Sequence, residues 1–290
     1  MDRSELQQLA EECGVDLVGV TTCEGLEKKV PESARPSQIS DALPTFVVLG
    51  KHIPVGVSGA RDGDAKQFVG SLLHRVLEDA AADLAYRLEG QDYMAVVLPS
   101  LIMDFKSRDE LSNTPAGQGS LYLRLAAVEA GLGTLGLNNM LLTPEFGPRV
   151  YLCGLMVNVE IEPDRSLDRE LCLGSTDCGR CAVICPAGAI PREAPEELPL
   201  AAIRGLDHAA CARFAQPHGV RAFIDFFRNL LEAKGTSSNT LDSAECSRLW
   251  FDMTIARQGA FTGCSRCLQV CPVGADFEKL QESPHRQNDL

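Results

Sequence analysis

Cys178-Gly-Arg-Cys181-Ala-Val-Ile-Cys185-Pro186 and Cys264-Ser-Arg-Cys267-Leu-Gln-Val-Cys271-Pro272 are two copies of one pattern, C-x-x-C-x-x-x-C-P. The first is followed by Ala187-Gly188-Ala189 and the second by Val273-Gly274-Ala275, so the repeat extends past the proline. Thiolates at this spacing hold iron–sulfur clusters. Two copies imply two clusters near one another. Zinc also accepts C-x-x-C pairs, but a zinc site calls for neither the duplicated spacing nor the paired C-P endings.

Each run supplies three thiolates, whereas a 4Fe-4S cluster takes four. In two-cluster ferredoxins the cysteine before the proline crosses to the other cluster. That rule gives one group of Cys178, Cys181 and Cys271, and another of Cys264, Cys267 and Cys185. The position three residues before Cys178 is Ser175, so Cys172 is the expected fourth ligand of the first group. Cys211 is the expected fourth ligand of the second, with Cys246 as its competitor. The remaining cysteines, Cys13, Cys23 and Cys153, lie among apolar residues and read as small buried hydrophobes. The five histidines are scattered without ligand spacing.

Upstream of the cysteines the chain alternates helical and strand patterns. Ser4 to Gln7 fits a capping box that opens a helix closed by Gly14. Strands are expected at 16–21, 45–50, 93–99 and 150–161. The clearest helix runs over 65–89, with Phe68, Leu72, Leu73, Val76, Ala80, Leu84 and Leu88 recurring at three and four. A second runs from Leu121 to Ala130. This alternation predicts a sheet covered by helices. Composition shifts to cysteine, proline and charge after Pro163, which places an expected domain boundary there.

The chain has 290 residues, 45% of them hydrophobic, and a formal net charge of -13. Such an acidic balance, with no basic run, makes nucleic acid an unlikely partner. No apolar stretch approaches the ~18 residues that span a membrane. The start carries neither a twin-arginine nor an apolar signal segment, so a cytoplasmic location and no membrane partner are expected.

Between the helix at 121–130 and the last strand lies Ala130-Gly131-Leu132-Gly133-Thr134-Leu135-Gly136. A dinucleotide loop places its glycines after a strand and before a helix. These follow a helix, which argues against nicotinamide binding. Glycine lets backbone approach a large planar ligand closely, and a helix stop alone accounts for Gly131 only.

The segment from Gly131 through Asn138-Asn139-Met140-Leu141-Leu142-Thr143-Pro144-Glu145-Phe146-Gly147-Pro148-Arg149-Val150, upstream of two C-P runs, resembles the cobalamin-dependent iron–sulfur reductases. These comprise the reductive dehalogenases and the epoxyqueuosine reductases. The resemblance spans roughly residues 5–275 and implies an α+β architecture. A nitroreductase-like, cobalamin-binding domain would occupy residues 1–163. A ferredoxin-like domain with two 4Fe-4S clusters would occupy residues 164–290. It also implies a base-off cobalamin held by Gly131, Gly133, Thr134, Leu135, Gly136, Leu137 and Asn138.

The chain departs from the epoxyqueuosine reductase pattern. Thr134 stands where those enzymes carry Trp, and Leu137 where they carry Lys. Gly117 aligns with their acidic proton donor, and the chain ends soon after Cys271 without their helical-repeat extension. The Thr143-to-Val150 run leans toward the dehalogenases. The reaction that follows is electron passage through both clusters to a corrinoid cobalt for reduction of a small electrophilic substrate. A small molecule and a reduced electron-donor protein are the expected partners. Candidate proton donors are Tyr122, Asp104 and Lys106. The alternative is an electron-transfer or corrinoid-handling protein without substrate turnover of its own.

Overall fold

A computed structural model describes residues 1–30, 32, 35–60, 63–100, 121–192, 205–215 and 264–282. The first helix, α1 (Arg3–Glu12), is capped by Asp2. Its carboxylate accepts from the backbone N–H groups of Ser4 (2.8 Å) and Glu5 (2.9 Å), and Glu5 reaches back to the Asp2 N–H. The capping box therefore opens at Asp2, two residues before the position expected from Ser4, because Asp2 and Glu5 hold the same spacing with a charged acceptor at the cap.

Four strands form one antiparallel sheet in the order β1-β2-β6-β3. They are β1 (Leu17–Thr22), β2 (Thr45–His52), β3 (Ala95–Leu98) and β6 (Val150–Val157). The central pair runs in register from Thr45 opposite Val157 to His52 opposite Val150. Its residues alternate between two apolar layers, as successive strand side chains must. Val47, Leu49, Cys153 and Leu155 meet Leu6, Leu77, Leu84 and Leu88 from α1 and α4 (Gly63–Glu89). Phe46, Val48, Leu152 and Met156 meet Leu26 of α2 (Cys23–Glu27) and Leu123, Ala126 and Ala127 of α5 (Leu121–Glu129). Because helices cover both faces, the strand 45–50 reads as a continuous apolar run.

The long helix α4 buries only part of its expected stripe. Leu73, Leu77, Ala80, Ala81, Leu84 and Leu88 are buried, but Phe68, Leu72 and Val76 are 70%, 45% and 39% exposed. This second row lies roughly 100° around the helix from the first, at 3.6 residues per turn, so one sheet face cannot cover both. Cys23 and Cys153 are buried as expected, and Cys13 is half-buried beside Asp83.

The chain passes Pro163 while still tied to the sheet. Asp164 accepts twice from the Arg3 Nε (3.0 Å each) and once from the Val20 N–H (2.9 Å). Beyond it the described elements are short helices. Those of the two cysteine runs, α7 (Arg180–Ile184) and α9 (Arg266–Gln269), pack against each other. They are flanked by α6 (Gly174–Asp177), α8 (His208–Ala215) and α10 (Phe277–Gln281). Among the described residues no helix is long and apolar enough to cross a membrane.

Candidate functional site

The two cysteine runs meet in space with their thiols interleaved. Burial pushes the Cys181 thiol up to about 11, and the neighbouring charges that add to this belong to Cys172, Cys271 and Cys178. These four line one cavity. The second gathering is centred on Cys267, pushed up to about 12 by burial and then by Cys264, Cys211, Cys181 and Cys185. Burial also raises the Cys211 thiol, with Cys185 and Cys264 as the next causes. Cys271 thus stands with thiols of the first run, and Cys185 with thiols of the second. Cys246 lies outside the described residues.

An apolar shell of Leu137, Ala182, Ile190 and Leu206 packs against Cys172, Cys181, Cys185 and Cys267. Backbone N–H groups point at the sulfurs: Leu137 at Cys172 (3.4 Å) and Ala189 at Cys185 (3.3 Å). Such donors stabilise a thiolate. Among the described residues no group of three or more Cys, His, Asp or Glu is gathered for a single metal ion.

Gly136, Leu137 and Asn138 form a wall of the cavity shared by Cys172, Cys178, Cys181 and Cys271. Their segment is a hairpin. After α5 ends, Gly131 turns the chain at φ +71°, and β4 (Thr134–Leu135) pairs with β5 (Leu141–Leu142). The glycine spacing has an internal cause. A Cβ on Gly131 would overlap the Arg165 carbonyl oxygen, and one on Gly133 the Leu142 carbonyl oxygen. At these two positions the protein's own backbone makes a close approach, which gives the glycines a reason internal to the fold. The Thr134 hydroxyl is engaged as well, accepting from the Leu171 N–H (3.0 Å). Leu135 is buried within the hairpin.

What the segment leaves unsatisfied is amide. Asn138 Nδ2 and both side-chain amide atoms of Asn139 are buried without a hydrogen-bond partner. Asn139 also holds φ +62°, uncommon for a residue with a side chain. Buried orphan amides cost free energy unless a partner arrives. Their chemistry suits the amide-bearing rim of a corrinoid, so this part of the expected cofactor segment fits the group.

Arg149 and Asp276 carried no role in the sequence reading. Arg149 is fully buried at the start of β6, and its Nε donates to Asp276 Oδ2 (2.7 Å) while Nη2 pairs with Oδ1. An arginine opening an apolar strand in Phe146-Gly147-Pro148-Arg149-Val150 was the available signal. Nearby, Ala275 and Asp276 donate backbone N–H groups to the carbonyls of Pro144 (3.0 Å) and Glu145 (3.2 Å). Gly147 and Gly274 face one another so closely that a Cβ on either would overlap the other's loop. A second buried arginine, Arg124 of α5, donates to the Asn139 carbonyl, and its charge lowers the Cys211 thiol against the larger effect of burial.

Of the candidate proton donors, Asp104 and Lys106 lie outside the described residues, as does Gly117. Tyr122 lies in the first turn of α5, at the far end of that helix from the glycine segment, with its side chain outside the described set.

No family model matches the chain. It is 32% identical over 237 residues to the epoxyqueuosine reductase of Bacillus cereus, covering 80% of this chain and 47% of that protein. It is 29% identical over 150 residues to a tetrachloroethene reductive dehalogenase of Desulfitobacterium hafniense, covering 50% of this chain and 21% of that one. The chain spans about half the length of the epoxyqueuosine reductases of B. cereus and B. subtilis that it matches. Among solved structures, a reductive dehalogenase described as pointing to B12-dependent dehalogenation aligns with TM-score 0.56 at 18% identity, over 96% of this chain and 33% of that one. The homologues and the structural neighbours are thus the same two groups, consistent with the cobalamin-dependent reductase superfamily.

The expectation that nucleic acid is an unlikely partner is overturned. The homologues include epoxyqueuosine reductases, whose substrate is a tRNA. Net charge is a sum over the whole surface, and a single face can differ from that sum in sign.

Proposed function

From this kinship we propose that the chain is an iron–sulfur, cobalamin-dependent reductase in which two 4Fe-4S clusters pass electrons to a corrinoid for reduction of an electrophilic substrate. Residues 1–163 form the nitroreductase-like, corrinoid-binding part and residues 164–290 the ferredoxin-like part. Cys172, Cys178, Cys181 and Cys271 hold the first cluster. Cys185, Cys211, Cys264 and Cys267 hold the second. The observation that carries the reading is the interleaving of the two runs, with Cys271 among the thiols of the first run and Cys185 among those of the second.

The protein's own contribution is to position and to insulate. The first group shares its cavity with Gly136 to Asn138, so the first cluster is the one beside the corrinoid segment. Leu137 serves both sides, with its N–H at the Cys172 sulfur and its side chain in the apolar shell. That shell keeps water from the clusters and favours their less charged state. Asn138 and Asn139 would hold the corrinoid rim through their free amide groups. When bound, a corrinoid supplies a strongly reducing cobalt centre, the hard chemistry that a cofactor brings and the protein orients. Proton delivery falls to Tyr122, Asp104 or Lys106, whichever reaches the substrate.

Anaerobic purification and cofactor loading test this reading. Iron of about eight per chain is expected from two four-iron clusters, together with a retained corrinoid showing a base-off spectrum. With a strong reductant, the loaded protein should then consume an organohalide or an epoxyqueuosine-bearing tRNA stem loop. The two substrates are assayed side by side because both homologue groups are present. Bound corrinoid without turnover of either favours the corrinoid-handling alternative. Failure to retain corrinoid sinks both.

A further inference from the structure

Arg149 is expensive where it stands. A buried guanidinium loses its hydration and is tolerated only if every donor is met. Here all five N–H groups have acceptors. Nε and one Nη2 hydrogen go to Asp276, the other Nη2 hydrogen to the Val273 carbonyl (2.7 Å), and Nη1 to the carbonyls of Leu268 (3.1 Å) and Cys271 (3.2 Å). The ring of Phe277 lies 5.9 Å from its central carbon. Three of these five bonds converge on the stretch from Leu268 to Val273, the stretch that carries Cys271.

The bonding has a direction. Arg149 collects the carbonyl oxygens of the Cys271 loop, that of Cys271 among them, and so holds its positive charge against the backbone of that cysteine. A four-iron cluster held by thiolates gains one negative charge on reduction. Nearby positive charge and N–H dipoles favour that reduced form and raise the potential. Asp276 opposes the effect from the far side of the guanidinium.

We propose that Arg149 is a positioning residue whose buried pair with Asp276 sets the reduction potential of the cluster that Cys271 helps to hold, the one beside Gly136 to Asn138. The proposal rests on the two-cluster reading above. It adds that the N-terminal part of the chain tunes one cluster and not the other.

The test is a redox titration followed by electron paramagnetic resonance on anaerobic, cluster-loaded protein, with iron counted in each sample. Arg149→Met should move one of the two waves to lower potential by at least tenfold in the oxidised-to-reduced ratio, which is 59 mV for a one-electron couple. Arg149→Lys should restore part of that shift. Asp276→Asn, which leaves the positive charge unopposed, should move the same wave upward. The other wave should stay in place throughout.

A purely structural pair would not give shifts of opposite sign. If Arg149→Met and Asp276→Asn move the wave in the same direction, or neither moves it with iron retained, the proposal fails. Should Arg149→Met shed iron, Asp276→Asn decides alone: an upward shift supports the proposal, and no shift, a downward shift or loss of iron overturns it. Wild-type protein that loads no four-iron clusters would instead sink the two-cluster reading, a result visible in the iron count before any variant is made.

Discussion

The backbone N–H of Leu137 stands 3.4 Å from the sulfur of Cys172, joining the glycine-rich hairpin to the first group of thiols. Neither residue belongs to a C-x-x-C-x-x-x-C-P run. Cys172 lines the cavity with Cys178, Cys181 and Cys271 and is the fourth ligand in the proposed set, and Leu137 reaches it because the β4–β5 hairpin turns at Gly136 toward the cavity. Replacing Cys172 by Ala should therefore cost the integrity of one cluster, with iron falling from about eight to about four per chain on the two-cluster count. Replacing Cys246 by Ala should leave iron unchanged. Equal losses from both variants would show that the fourth ligand has been misassigned.

The Arg149–Asp276 pair should be strongly coupled in stability. Breaking a buried pair on one side costs about 3–5 kcal/mol, because the survivor is left charged and unpaired. Arg149→Met should cost more than Asp276→Asn, since it also strips the donors from the carbonyls of Leu268, Cys271 and Val273. The double variant should cost less than the sum of the two, by roughly 0.5–3 kcal/mol. Thermal unfolding of the four anaerobic proteins measures this, and strict additivity would show that the two side chains act independently.

Glycine replacements should separate contact from conformation. Gly147→Ala drives a methyl group into the Val273 carbonyl at a position with φ +54°, and should be among the most damaging single changes, at about 4 kcal/mol or more. Gly56 lies near the start of the short helix α3 (Val55–Gly59), where an added methyl group would meet nothing within 4 Å and the φ is ordinary. Gly56→Ala should stabilise by about 0.4–1 kcal/mol through the unfolded chain. Comparable losses at both positions would contradict the close packing at Gly147.

Acid sensitivity should trace in part to His74. It hydrogen-bonds Ser100, packs at 4.1 Å on the Tyr151 ring, and is pushed down by burial from 6.5 to about 4. The unfolded chain then binds a proton that the folded protein refuses between pH 6.5 and about 4, so stability falls as pH drops through that window and levels off below it. The contribution is about 3 kcal/mol at roughly 1.36 kcal/mol per pKa unit. His74→Gln should flatten that part of the stability-versus-pH curve. An unchanged slope would assign the acid limb to other groups.

Much of the fold was legible because its periods are simple. The strand 45–50 and the helix 65–89 follow from apolar runs and spacings of three and four, and the structure shows β2 over Thr45–His52 and α4 over Gly63–Glu89. The outward row of Phe68, Leu72 and Val76 was not legible, since a periodicity shows that a face is apolar without showing what covers it. The cap lies at Asp2 and not Ser4 for a local reason, two overlapping sets of cap-forming residues two positions apart.

Residue type and spacing alone carried the chemistry of the proposed donor set: two cysteine runs of one pattern, each three thiols long, with further cysteines at hand upstream and between them. The chain holds these directly, whatever shape it takes. Which surfaces those groups share is a different matter, settled by packing. Only folding brings Arg149 to Asp276 across 127 residues, sets Leu137 against Cys172, and fills the glycine positions 131 and 133 with the backbone of Arg165 and Leu142. Such contacts join segments with no common period, and their energies come from burial and hydrogen bonding that exist only once the two parts of the chain are packed together.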